Sequence, residues 1–166
     1  MSELETSSAR APWLARLDAV EERLASLELG DPGVGMTEPD PGAVERWSQV
    51  EVWAHLGEFP DYWLDQLVLV IRGQEVGAVP FGRTKADPAR RAAVASARRD
   101  DLGRYLRGVL GACDRLRALL STMYDGDWAA KGVHPTLGEM DVAAILDEFL
   151  IGHLEEHAAQ LEALNG

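Results

Sequence analysis

The stretch Leu150-Ile151-Gly152-His153-Leu154-Glu155-Glu156-His157 places two of the chain's four histidines four residues apart near its C-terminal end. On a helix, residues i and i+4 lie on one face a turn apart. Two imidazoles so placed can hold a metal ion from one side, or can be core histidines satisfied by hydrogen bonds. Two neutral imidazoles on one apolar stripe carry four ring nitrogens that need partners, and a metal ion meets two of those needs. The stripe runs Val142, Leu146, Phe149, His153, His157, Gln160 or Leu161, and Leu164, which predicts a helix over 139–164. Glu155 and Glu156 fall off this face and read as surface residues.

Working back along the chain, His55 sits in another helix-patterned segment, Val50, Trp53, His55, Leu56, Phe59, Trp63, Leu67 and Val70. Ser48-Gln49-Val50-Glu51 reads as a capping box that starts this helix, which the pattern carries to about Arg72. Pro60 cannot donate to the carbonyl of Leu56, so a kink or bulge is expected within a turn or two of His55. His55 alone reads as a packing histidine. With His153 and His157 it completes a three-nitrogen set, which leaves a position free for water or substrate as catalytic metal sites do. Glu58, three residues after His55, shares its helix face and is the candidate catalytic residue: a fourth ligand, a partner of His55 or a general base, against the plainer reading of a solvated carboxylate. His134, before Pro135 in a loop, is expected to be exposed and outside the site. Trp47, Trp53, Tyr62 and Trp63 are either core or pocket walls.

Two further helices complete the pattern. One covers about 12–29, with Pro12 in its first turn and Gly30-Asp31-Pro32 as its stop. The other covers about 90–123. Glycine- and proline-rich connections occupy 30–42 and 73–89, and a third loop covers 124–138. Only a short extended piece near Val76–Val79 is expected. The fold class is therefore all-α, a four-helix bundle whose long connections permit crossovers. The expected organisation is a flexible N-terminus at 1–11 and one domain over 12–166.

With 166 residues and 46% apolar side chains, one domain can bury an adequate core without staples. A net charge of −12 excludes phosphate-backbone binding and docking on anionic membranes as leading functions. A single cysteine, Cys113, in an apolar helical context, precludes an intrachain disulfide and points to the cytoplasm. The start of the chain lacks the basic and apolar regions of a signal peptide, and the longest apolar run, Leu67 to Ile71, cannot span a bilayer. Phosphate-loop, Cys-x-x-Cys, Gly-x-Ser-x-Gly and Glu-x-x-His di-iron motifs are all absent.

Three segments together resemble the DinB/YfiT-like superfamily. Trp47-Ser48-Gln49-Val50-Glu51-Val52-Trp53-Ala54-His55-Leu56-Gly57-Glu58-Phe59 is similar to its second-helix motif. His134-Pro135-Thr136-Leu137-Gly138-Glu139-Met140 is similar to its loop before the last helix. Gly152-His153-Leu154-Glu155-Glu156-His157-Ala158-Ala159-Gln160-Leu161 is similar to its terminal His-x-x-x-His segment. The resemblance spans about residues 13–164. It implies a four-helix bundle of unusual topology, a homodimer, and a divalent transition metal, zinc or nickel first, held by His55, His153 and His157. It also implies a low-molecular-weight thiol as co-substrate, since relatives include bacillithiol- and glutathione-using thiol transferases and mycothiol-dependent isomerases. Where many relatives carry aspartate, this chain has Glu58. The expected function is thiol transfer to, or isomerisation of, a small electrophile. The alternatives are a metal-dependent hydrolase and a non-catalytic binding protein.

Overall fold

The structure is a computed structural model describing residues 3–29 and 35–166, with side chains from residue 9 onward. Helix α1 spans Glu3–Ala25. It starts before the expected position and ends sooner, and Pro12 lies within it, where it removes one helical hydrogen bond. The Gly30-Asp31-Pro32 stop signal falls outside the described residues.

The expected second helix is two. Helix α2, Gln49–Leu56, begins at the capping box: Ser48 Oγ accepts from Glu51 N, and the Glu51 carboxylate accepts from Ser48 N at 2.7 Å. It stops at Gly57, and α3 runs Phe59–Gly73 with Pro60 in its first turn. There the missing N–H costs nothing, so the chain restarts a helix where a continuous one would have left the Leu56 carbonyl unpaired.

The connection after α3 packs down through β1, Val79–Pro80, and the buried Phe81. The helix expected over 90–123 is also divided, into α4, Pro88–Ala95, and α5, Leu102–Thr122. Between them Arg98 is extended, and its N–H donates to the Tyr105 hydroxyl at 3.2 Å, which holds the break.

A short helix α6, Asp125–Trp128, leads to a hairpin where a loop was expected. Strand β2, Lys131–His134, pairs antiparallel with β3, Gly138–Asp141, and parallel with β1, giving sheet order β1-β2-β3. Gly132 is the residue that lets β2 lie this close: a Cβ there would come within 2.4 Å of the Phe81 ring and 2.7 Å of Val70. The last helix therefore begins at Val142, not 139, with Asp141 as its N-cap accepting from Ala144 N at 2.8 Å. It consists of α7, Val142–Ile145, a π-helical turn at Leu146–Leu150, and α8, Ile151–Asn165.

The four-helix bundle has crossed connectivity. Helix α1 packs on α5 and α8, and the α2–α3 rod packs on the same two. The first two long helices in sequence thus share both their neighbours. Trp53, Leu56, Phe59, Leu67, Leu116, Leu120, Leu146 and Ile151, all fully buried, fill the middle. No helix among the described residues is long and apolar enough to cross a membrane.

Candidate metal centre

His55 lies in the last turn of α2, just before the break, where Glu58 N donates to its carbonyl at 3.0 Å. His153 and His157 lie in the first two turns of α8. Helices α2 and α8 pack together, and the three imidazoles meet there. His153 Nε2 is 3.2 Å from His55 Nε2 and 3.1 Å from His157 Nε2. These are the three residues among those described that bring one ligand atom each into a common group.

The outer nitrogens decide the protonation of the inner ones. His153 Nδ1 faces Glu156 Oε2 at 3.2 Å, and His157 Nδ1 faces Gln160 Oε1 at 2.7 Å. Both partners are acceptors, so Nδ1 carries the proton and Nε2 presents its lone pair to the centre. His55 Nδ1 is buried with no hydrogen-bond partner, and Glu58 Oε2 stands 3.9 Å from it. Burial, then the neighbouring imidazoles, push His55 well below its ordinary pKa. Burial first, and the charge of His153 next, push His157 down to about 3. His55 and His157 are thus held neutral, and the three Nε2 atoms face one another. Nitrogens about 2.0–2.1 Å from a common ion, at the angles of octahedral or tetrahedral coordination, lie about 2.8–3.4 Å apart. Both spacings from His153 fall inside that interval, and all three ligand atoms lie within 4.8 Å of one another, so the donor set fits a divalent transition metal.

The fully buried Phe59 closes the inner side, packing on His55 and His153 with centroids 4.8 and 4.6 Å apart, and Trp47, on the cleft wall, stacks on His157 and meets His55 edge-on. The outer side opens into a cleft of about 950 Å³ whose wall includes Trp63, Arg83, Arg90, Phe149 and all four histidines. Trp63 and Phe149 stack at 3.9 Å on that wall. Of the four candidate aromatics, Trp47 and Trp63 therefore line the cleft, Trp53 is wholly core, and Tyr62 lies under the Arg83 guanidinium at 3.9 Å.

Glu58 is not a solvated carboxylate. Its oxygens accept from Arg83 Nη2 at 2.6 and 2.7 Å, and the Arg83 side chain is only 8% exposed. Arg83 also reaches Asp87 at 3.3 Å. His134 corrects the expectation of an exposed loop residue: it is 4% exposed. Its ring packs among Trp63, Phe81 and Phe149, its Nε2 donates to the Arg83 carbonyl at 3.1 Å, and its Nδ1 accepts from Thr136 N and Leu137 N. It ties the hairpin turn to the Arg83 segment and, as expected, stays out of the three-histidine group. Glu155 and Glu156 are also engaged rather than idle on the surface, Glu155 with Arg16 and Glu156 with His153. The sequence signal for the two ring partners is an acceptor three residues after the histidine, Glu156 and Gln160; Glu58 holds the same place after His55 but stands 3.9 Å from its Nδ1.

Comparison with known proteins agrees with this architecture. Among solved structures, YfiT from Bacillus subtilis, described as a probable metal-dependent hydrolase with an unusual four-helix bundle topology, matches with a TM-score of 0.67. The identity is 18%, and the match covers 99% of this chain and 87% of that one. A comparison with curated proteins finds no match. The sequence model of the DinB superfamily matches residues 14–161, nearly the whole chain. The chain belongs to the DinB superfamily.

Proposed function

We propose that His55, His153 and His157 hold one divalent transition-metal ion and that the protein is a metal-dependent enzyme. Its reaction is thiol transfer to, or isomerisation of, a small electrophile. The observation that carries the metal is the convergence of the three Nε2 atoms, two of them with Nδ1 turned to an acceptor. A bound ion supplies Lewis acidity, which favours deprotonation of a nucleophile's S–H or O–H group.

The chain's own residues do the rest. Glu156 and Gln160 fix the tautomers of His153 and His157. Phe59 keeps water from the inner side, and Trp47 braces the His157 ring from the cleft wall. Glu58 stands beside Nδ1 of His55, away from the converging Nε2 atoms, and Arg83 holds it there. This position suits an orienting partner of His55 better than a fourth ligand. The coordination side facing the cleft is then free for a substrate. A cleft of about 950 Å³ is at the upper end of small-molecule sites and has room for a thiol and an electrophile together.

Metal-dependent hydrolysis is the second reading. It is favoured by the description of YfiT as a probable hydrolase and by the openness of the cleft to water. The test is an activity screen of zinc- and nickel-loaded protein with cysteine, glutathione, bacillithiol and mycothiol, using chlorodinitrobenzene as electrophile, beside nitrophenyl esters without thiol. Conjugate formation that needs both metal and thiol is the expected result. Ester cleavage without thiol supports the hydrolase instead. No metal-dependent turnover of either kind would count against an enzyme.

A further inference from the structure

The last helix departs from α-geometry next to the metal centre. Its apolar stripe should repeat at three- and four-residue steps, yet the buried residues Ile145 and Leu146 are followed by Leu150 and Ile151, five residues on. The π turn at Leu146–Leu150 supplies the extra residue: Ile151 N donates to Leu146 O, five residues back. After it, Ile151, Leu154, Ala158 and Leu161 continue the core stripe, and His153 and His157 come to the rim between core and cleft. Without the extra residue, the stripe through Val142, Leu146 and Phe149 would run on to His153 and His157, and those rings would occupy the core.

Two features hold the turn. At Gly152 the Asp147 carbonyl oxygen approaches so closely that a Cβ would lie 1.9 Å from it, and Leu150 has φ −120 and ψ −92, outside helical values. No side chain fits at 152 while this turn persists. Arg16 of α1 then spans the distortion: its Nη2 donates to Asp147 Oδ1 at 2.8 Å and to Glu155 Oε2 at 2.6 Å, one acceptor on each side of Gly152. Widened turns of this kind recur at functional sites.

We infer that Gly152 and the Arg16 clamp are positioning elements of the metal centre: they maintain the π turn that brings His153 into register with His157 and His55. This rests on the metal-binding reading above. An incidental glycine makes the opposite forecast, because Gly→Ala inside a helix ordinarily raises stability.

The test is Gly152→Ala, read by thermal unfolding, by zinc affinity in chelator competition, and by a crystal structure. We expect a lower melting temperature, zinc affinity weakened by about 100-fold or more, the upper end of losses from disturbing a ligand's support, and His153 Nε2 withdrawn from the other two. A raised melting temperature with zinc affinity unchanged and the three Nε2 atoms still together would overturn the inference. If Gly152→Ala does not fold, Arg16→Gln decides: weakening of about tenfold in a fully helical protein supports the clamp, and unchanged affinity overturns it. If wild type binds no zinc while the Gly152→Ala structure shows His153 displaced, the metal reading fails and the positioning role stands.

Discussion

His55 and His153 bring their Nε2 atoms within 3.2 Å of each other across 98 residues of sequence. The contact depends on a helix that ends early and another that widens. Helix α2 stops one residue after His55, which frees the chain to turn at Gly57 and Glu58. The last helix gains one residue before His153. Both devices are flanked by the core: Leu56 and Phe59 on one side, Leu150 and Ile151 on the other, are all buried.

The core should fold without metal. His157→Ala removes one ligand and little apolar area, since Leu154, Ala158 and Leu161 beside it remain buried. Thermal unfolding of wild type and His157→Ala, each with and without chelator, should show a metal-dependent rise in melting temperature for wild type alone, because linkage stabilises only the protein that binds. Metal-free wild type that is already unfolded at room temperature would make the site structural instead.

Much of this was legible in the sequence, for reasons that particular residues make plain. The capping box at Ser48 and the proline at 60 act over three or four residues, so their effects survive folding unchanged. The histidine set was legible because the i, i+4 spacing and the apolar context of His55 are local. The hairpin was not. In β2 the inward positions are Gly132 and His134 and the outward ones are Lys131 and Val133, so the strand's one large apolar residue points out, against the usual apolar alternation. The π turn was hidden because a strict 3.6-residue template runs from Phe149 to His153 without a fault. Its trace is the pair of apolar doublets, Ile145-Leu146 and Leu150-Ile151, with a glycine just after. Arg83 and the burial of His134 depend on contacts between distant segments, which no local pattern encodes.

The Glu58–Arg83 pair makes a second expectation. Glu58→Ala strips a buried guanidinium of its nearest carboxylate. The cost should be about 2–3 kcal/mol, less than the 3–5 kcal/mol usual for an orphaned buried charge, because Asp87 remains within 3.3 Å of Arg83 and Glu58 is itself partly exposed. Urea denaturation reads this directly. Zinc affinity should fall by no more than about tenfold, as for loss of an orienting partner. Complete loss of zinc binding in folded Glu58→Ala would make Glu58 a ligand.

Cys113 gives an expectation in pH. Burial pushes its thiol from the ordinary 9.0 up to about 12. The folded pKa is the higher one, so the unfolded chain loses this proton first as pH rises. Cys113 therefore leaves stability unaffected below about 9 and lowers it progressively between about 9 and 12. Denaturant midpoints across that interval should fall less steeply in Cys113→Ala than in wild type. At pH 8 the native thiol should resist dithionitrobenzoate and react fully in denaturant. Rapid reaction of the native protein at pH 8 would show that the thiol is accessible.

X-ray absorption at the metal edge of the zinc-loaded protein tests the central claim most directly. We expect one ion per chain, three imidazole nitrogens at about 2.0–2.1 Å with the multiple scattering of histidine rings, and loss of one ring from that signal in each of His55→Ala, His153→Ala and His157→Ala. Zinc that binds with no imidazole scattering, or that keeps the same spectrum in all three variants, would contradict the account.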